Sequence, residues 1–219
     1  MRIAVIGASG WLGGSVAREA AARGHRVTAI ARNRERLAEL EGMSLVAADV
    51  TDHSGIAAAI SHHDVVVLSI ADRSTPDRSI IPTAVAAVLA ALPRAGVPRM
   101  AMVGGGGSLL DEHGTRFVDR PDFREQYKPE ALAQSEALAL LRHAPASVDW
   151  TYISPPPANL TRAEKRGGYS VRADDRPVTD ETGSFTITSG DLASALLDEI
   201  EQPQFSRLRF TVGYASAPT

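Results

Sequence analysis

Gly7, Gly10 and Gly13 stand at intervals of three, directly after the apolar run Ile3-Ala4-Val5-Ile6 and directly before an amphipathic stretch. Glycines so placed let a strand turn sharply into a helix. Gly7 takes a conformation that a β-carbon would obstruct, Gly10 lets the backbone approach a pyrophosphate, and Gly13 lets the helix pack on the sheet. The exposed amides of the first helical turn, with the positive end of the helix dipole, then receive the phosphate charge. Ser9, Trp11 and Leu12 belong to the same cradle, with Trp11 expected near the phosphates or the pocket rim. Strand, turn, helix and second strand fall within about 30 residues, the context that gives such a glycine pattern its meaning as a dinucleotide site.

The end of the second strand decides which dinucleotide. An acid there accepts hydrogen bonds from ribose hydroxyls and favours NAD, whereas a cation favours the 2′-phosphate of NADP. The chain reads Ala29-Ile30-Ala31-Arg32-Asn33-Arg34, with no acid before Glu35. NADP(H) is therefore expected over NAD(H), with Arg32 as the phosphate contact because a guanidinium offers two parallel bonds, and Arg34 assisting; the alternative is two solvated arginines at a helix start. Ligands of parallel sheets lie at the carboxyl ends of the strands. That rule puts Asp49 and Val50 beside adenine, and Ser69, Ile70 and Ala71 beneath the pyrophosphate and nicotinamide ribose. Asp49 equally suits a cap for the next turn. Gly104, opening the run Gly104-Gly105-Gly106-Gly107, would let the chain pass close to a flat nicotinamide ring, or else form a mobile loop. Pro155, in the stiff passage Pro155-Pro156-Pro157, falls where substrate and nicotinamide should meet, with Asn159 in reach of either.

Candidates for chemistry are Tyr127, Lys128 and Ser108. Lys128 could hold the nicotinamide ribose or polarise a substrate oxygen, and Tyr127 could donate a proton or stack on a substrate ring; a packing tyrosine and a surface lysine are the competing reading. Pro129 biases Lys128 to an extended conformation, so the pair should project from a loop. His113 and Asp119 lie in the same irregular stretch, the first suited to solvent and the second to a salt bridge with a neighbouring arginine. His62-His63 lacks ligand spacing and suits a helix end, so no metal site is expected.

The elements that must carry these residues alternate between strand and helix, as a doubly wound parallel sheet covered on both faces requires. Strands are expected at Arg2 to Ile6, Arg26 to Ala31, Ser44 to Ala47, Val65 to Leu68, Met100 to Val103, Val148 to Ile153, Phe185 to Thr188 and Leu208 to Val212. Helices are expected at Trp11 to Arg23, Arg34 to Leu40, His53 to Ser61, Ser79 to Ala95, Pro129 to His143 and Asp191 to Glu201. Residues 104 to 128 are irregular and suited to shaping a pocket. The whole chain, 1–219, reads as a single NAD(P)-binding domain. Residues 154–185 read as a small C-terminal substrate lobe or lid, with a hairpin around Gly167-Gly168. Near Ser189-Gly190-Asp191, the serine or the aspartate should cap the last helix.

Composition narrows the partners. A net charge of −3 over 219 residues offers no basic excess for nucleic acid. No apolar run approaches the ~20 residues needed to span a bilayer. The chain has no cysteine, which excludes disulfides, thiolate metal sites and cysteine nucleophiles. With a first strand beginning at Arg2, a cytoplasmic protein acting on a small molecule is expected; its oligomeric state is open. Of the basic residues 21 are arginine and two are lysine, which makes each lysine worth examining.

The glycine turn, Arg32-Asn33, Asp49-Val50-Thr51-Asp52, Gly104 to Ser108, Tyr127-Lys128-Pro129-Glu130 and the terminal Arg209-Phe210-Thr211-Val212-Gly213-Tyr214 resemble the atypical short-chain dehydrogenase/reductases. Within these the chain is similar to NmrA-like proteins, biliverdin/flavin reductases and bacterial NADH-flavin reductases, over nearly its whole length. The resemblance implies a Rossmann-like fold and an NAD(P)H cofactor. The standard family members pair a tyrosine with a lysine four residues later on one helix face. Here that later position is Ala131, and Gly104 stands where a serine is expected, with Ser108 the nearest hydroxyl. Alcohol chemistry by the usual proton relay is thus not expected. The favoured reading is an NADPH-dependent oxidoreductase passing hydride to a flat conjugated acceptor such as a flavin, quinone or pigment. A noncatalytic NADP-sensing regulator, and a cofactor-retaining epimerase, isomerase or tailoring enzyme, are the alternatives.

Overall fold

Every side chain of Val65–Leu68 is buried, which only a strand covered on both faces allows. In the computed structural model, which describes residues 1–40, 42–71, 76 and 78–215, this strand is β4, at the centre of an eight-stranded sheet. It is preceded by β1 (Arg2–Ile6), α1 (Trp11–Ala22), β2 (Arg26–Ala31), β3 (Ser44–Ala47) and α2 (His53–Ile60). It is followed by α3 (Ile80–Ala95), β5 (Arg99–Val103), α4 (Lys128–Arg142), β6 (Asp149–Ser154), β7 (Leu160–Thr161), β8 (Tyr169–Arg172), β9 (Ile187–Thr188), α5 (Ser189–Glu201) and β10 (Leu208–Tyr214). The sheet order is β3-β2-β1-β4-β5-β6-β10-β8. Only the last pairing, β10 with β8, is antiparallel. This is a Rossmann-like α/β fold, and the order reverses between β1 and β4, where their paired carboxyl ends diverge into a crevice.

The alternation of strand side chains divides the core in two. Ile3, Val5, Val65 and Val67 face α1 and α5 with Val16, Leu192 and Leu196. Ala4, Ile6, Val66 and Leu68 face α2, α3 and α4 with Ile56, Val85 and Leu138. A left-handed glycine, Gly96, ends α3, and Asp52 caps α2 through the amides of Ser54 and Gly55.

Several details differ from the sequence pattern. The Arg34 to Leu40 helix is one 3-10 turn, Arg34–Leu37, capped by Asn33, and the chain continues through turns to Leu40. His62 takes a left-handed conformation after α2, and His63 bridges the carbonyl of Ile60 at 2.9 Å and Thr28 Oγ1 at 2.8 Å. Gly167 and Gly168 do not close a hairpin. β7 pairs in parallel with β9, while β8 joins the main sheet beside β10, because the polar tip between them is pulled onto α5. There the carboxylate of Asp191 accepts the amides of Arg166 and Gly167 at 3.0 Å each and the Tyr214 hydroxyl at 2.5 Å. Burial pushes the Asp191 carboxyl up, but these bonds and one from the Thr188 hydroxyl outweigh it and hold it below the ordinary carboxylate range. The cap of α5 is Thr188, whose side chain accepts the Asp191 amide, and neither Ser189 nor Asp191 holds that position.

Candidate functional site

A cleft of about 1270 Å3 opens over the carboxyl ends of β1, β2, β4, β5 and β6. Its middle is the glycine turn. Gly7 has φ +85°, and a β-carbon there would stand 2.0 Å from the Ser69 carbonyl oxygen; one on Gly13 would stand 2.3 Å from the Gly7 oxygen. These two glycines weld the turn to β4 and to α1. Gly10 is the N-cap of α1, no side chain caps it, and the first turn carries no acid. The amide donors and dipole of this helix end therefore face the cleft, which is also lined by Ser9, Trp11 and Leu12.

On one side lie Arg32, Val50 and Ala48, together with Arg36, which sequence reading passed over in favour of Arg34. Arg36, within the 3-10 turn, lines the cleft, while Arg34 is not among its lining residues. Asp49 is also outside the lining. Its carboxylate accepts the Thr51 amide at 2.9 Å and hydroxyl at 2.8 Å, and these bonds hold it below the usual range. On the other side Ser69, Ile70 and Ala71 follow β4, and Gly104 and Pro155 follow β5 and β6.

The glycines after β5 pack closely against neighbouring elements. A β-carbon on Gly104 would lie 1.8 Å from Tyr152 Cζ, on Gly106 2.5 Å from the Pro155 oxygen, and on Gly107 2.6 Å from Ala131 Cβ. They let the backbone thread between β6 and α4. Tyr152, fully buried, accepts the Gly105 amide at 2.9 Å and donates to the Gln134 carbonyl at 3.1 Å. Burial pushes its phenol up to about 12, so it stays a donor. Alternation along Thr151-Tyr152-Ile153 was the available sign that this phenol points into the core.

The proposed chemical residues do not assemble. Tyr127 lines the cleft rim, 41% exposed. Lys128 does not line it: it is helical (φ −60°, ψ −44°) and pairs with Glu125 at 3.3 Å. The expected extended conformation is overridden because a 3-10 turn, Glu125–Tyr127, feeds directly into α4, where the missing amide of Pro129 is no loss. Ser108 is turned from the cleft, its oxygen accepting from Arg209 Nη1 at 2.8 Å. His113 is exposed and Asp119 pairs with Arg116 at 2.6 Å. Among the described residues no three His, Cys, Asp or Glu side chains group to hold a metal.

What remains is a slot between the uncapped glycine turn and a ring-rich rim. Trp11, Phe117, Phe123, Tyr127 and Phe185 supply the rings, and Arg120 and Arg124 with Glu112, Asp122 and Glu130 the charge. Phe117 and Phe185 meet edge to face at 5.5 Å, joining residues 104–128 to the segment before β9. Arg120 stacks over Phe117 at 5.4 Å and is engaged by Asp122 at 2.9 Å. No helix among the described residues is long and apolar enough to cross a membrane.

Comparison with known proteins agrees with this geometry. The model of a family described as NAD(P)H-binding matches residues 7–203. The uncharacterized protein YwnB of Bacillus subtilis (strain 168) is 35% identical over 214 residues, 97% of this chain and 98% of its own. The structure of SP1627, a proposed NADH-flavin reductase of Streptococcus pneumoniae TIGR4, superposes with TM-score 0.85 at 33% identity, over 98% of this chain and 99% of that one. A proposed epimerase of Bacteroides thetaiotaomicron superposes with TM-score 0.88 at 29% identity, over 100% and 99%. With its glycine turn, uncapped helix end and cleft in the expected places, this chain belongs to the NAD(P)H-binding family.

Proposed function

We propose that the protein is an NADPH-dependent oxidoreductase that delivers hydride to a flat conjugated acceptor, a flavin, quinone or pigment-like molecule. The observation that carries this reading is one continuous cleft running from the uncapped end of α1 to a rim of aromatic rings, with no lysine among its lining residues. The NADP preference rests on Arg32 and Arg36, both on the cleft wall beside Val50. Bound there, a nicotinamide supplies the hydride. The chain's own part is to hold the phosphates at Ser9 to Gly13, clamp a planar acceptor between rim rings and keep water from the slot. Solvent at the open rim, with Tyr127, serves for protons. Residues 154–185 contribute Pro155, Leu160 and Phe185 to the wall, the role of a substrate lobe on a single NAD(P)-binding domain.

Calorimetric titration with NADPH and NADH, followed by NADPH oxidation with a panel of flavins and quinones, tests the proposal. Selective NADPH binding with rapid oxidation supports it. Binding without oxidation of any acceptor points to the regulatory reading. Conversion of a sugar-like substrate without net oxidation points to the epimerase reading, which the name of the Bacteroides relative favours. We place the activity in the cytoplasm, where NADPH is available; recovery of the native protein outside the cytoplasmic fraction would overturn that.

A further inference from the structure

Gln134 lines the cleft from α4 and is 6% exposed. Its Nε2 donates to the carbonyl of Ile70, just past β4, at 3.3 Å. Its Oε1 is buried and has no hydrogen-bond partner. The amide cannot exchange its ends, since the oxygen would then face the Ile70 oxygen. The backbone is fixed equally firmly: the Gln134 carbonyl accepts from Tyr152, which in turn holds the Gly105 amide. A β-carbon on Gly105 would stand 3.0 Å from Gln134 Cβ, so the absence of one there is what lets α4 come this close. The side chain is thus held rigidly where α4 meets the ends of β4, β5 and β6, with one acceptor in want of a donor.

Leaving a buried acceptor unpaired opposes folding, and its retention in a cleft wall is explained by a ligand that pairs it. The phosphate-receiving turn lies at β1 and the arginines lie beyond it at β2, so the ends of β4 and β5 belong to the opposite half of an extended dinucleotide. We propose that Gln134 is a positioning residue whose Oε1 accepts a hydrogen bond from the nicotinamide-riboside half of the cofactor. The inference rests on the cofactor reading above.

The test compares NADPH with 2′,5′-ADP, which keeps the adenosine half and lacks the nicotinamide riboside, by calorimetry on wild type and on Gln134→Met and Gln134→Asn. Either variant, whichever melts as a folded protein, should bind NADPH roughly 3- to 10-fold more weakly, the value of one neutral hydrogen bond. It should bind 2′,5′-ADP as wild type does. Equal losses for both ligands, or no loss, would overturn the role of Gln134 and leave the cofactor reading standing. Failure of wild type to bind NADPH at all would overturn both.

Discussion

Substituting Gly104 by alanine tests whether the glycines after β5 serve the fold or the ligand. The added carbon would stand 1.8 Å from Tyr152 Cζ and 2.2 Å from both Cε1 and the hydroxyl oxygen. Ordinary carbon contacts need about 3.5 Å, so ring and backbone must part by well over an ångström. That displacement breaks the bonds from Tyr152 to Gly105 and Gln134, at 2.9 and 3.1 Å. Overpacking of a core costs about 1–3 kcal/mol and each buried hydrogen bond about 1 kcal/mol, so the expected loss is about 3–5 kcal/mol. For a chain of this size that is a fall in Tm of about 6–20 °C. The clashing atoms all lie at the far end of the ring, so Tyr152→Leu removes them. In that background Gly104→Ala should cost less than about 1 kcal/mol more, giving a coupling of about 2–4 kcal/mol in a double-mutant cycle. Thermal and urea denaturation of the four proteins measure it. Additive losses, or a Gly104→Ala protein that melts like wild type yet no longer binds nucleotide, would refute the packing argument and return the glycines to the ligand.

Other substitutions separate the site's parts. Arg32→Ala should weaken NADPH binding roughly 10- to 100-fold, the loss of a charge-assisted contact, and NADH binding far less; equal losses by calorimetry would refute the 2′-phosphate assignment. Lys128→Ala should leave nucleotide affinity and turnover unchanged, since its exposed pair with Glu125 is worth at most about 1 kcal/mol; a tenfold drop in kcat/KM would bring the lysine back into the chemistry. Asp191→Asn should cost about 1–3 kcal/mol at pH 7. Because the folded carboxyl sits below its unfolded value, its contribution is full above about pH 4 and fades as pH falls through the folded value. The difference in Tm between this variant and wild type should therefore shrink in acid, and a difference that widened there would contradict the assignment.

Much of the architecture was legible because it rests on local signals. Val65–Leu68 had to be covered on both faces, and the turn from Gly7 to Gly13 had to join a strand to a helix. Strands β7 and β8 were not legible, because Gly167-Gly168 promises a hairpin, while the chain there is held by the distant carboxylate of Asp191 and β8 pairs with β10. The site divides in the same way. Ser9, Gly10 and Arg32 follow from position after a strand, whereas Gln134, Tyr152 and Arg36 enter through the docking of α4, the alternation of β6 and a 3-10 turn. Lys128 was a candidate by its place just before a helix at the crevice edge, and place along the chain says nothing of where a side chain points; it pairs with Glu125 outside the cleft lining.

The outermost strands of the sheet, β3 and β8, are each four residues long, and β8 ends at Arg172, whose guanidinium holds Asp174. Borders this short are poor templates for a neighbouring chain to extend. A protein built this way carries a wide, strongly apolar sheet while offering its margins little length along which chains could polymerise.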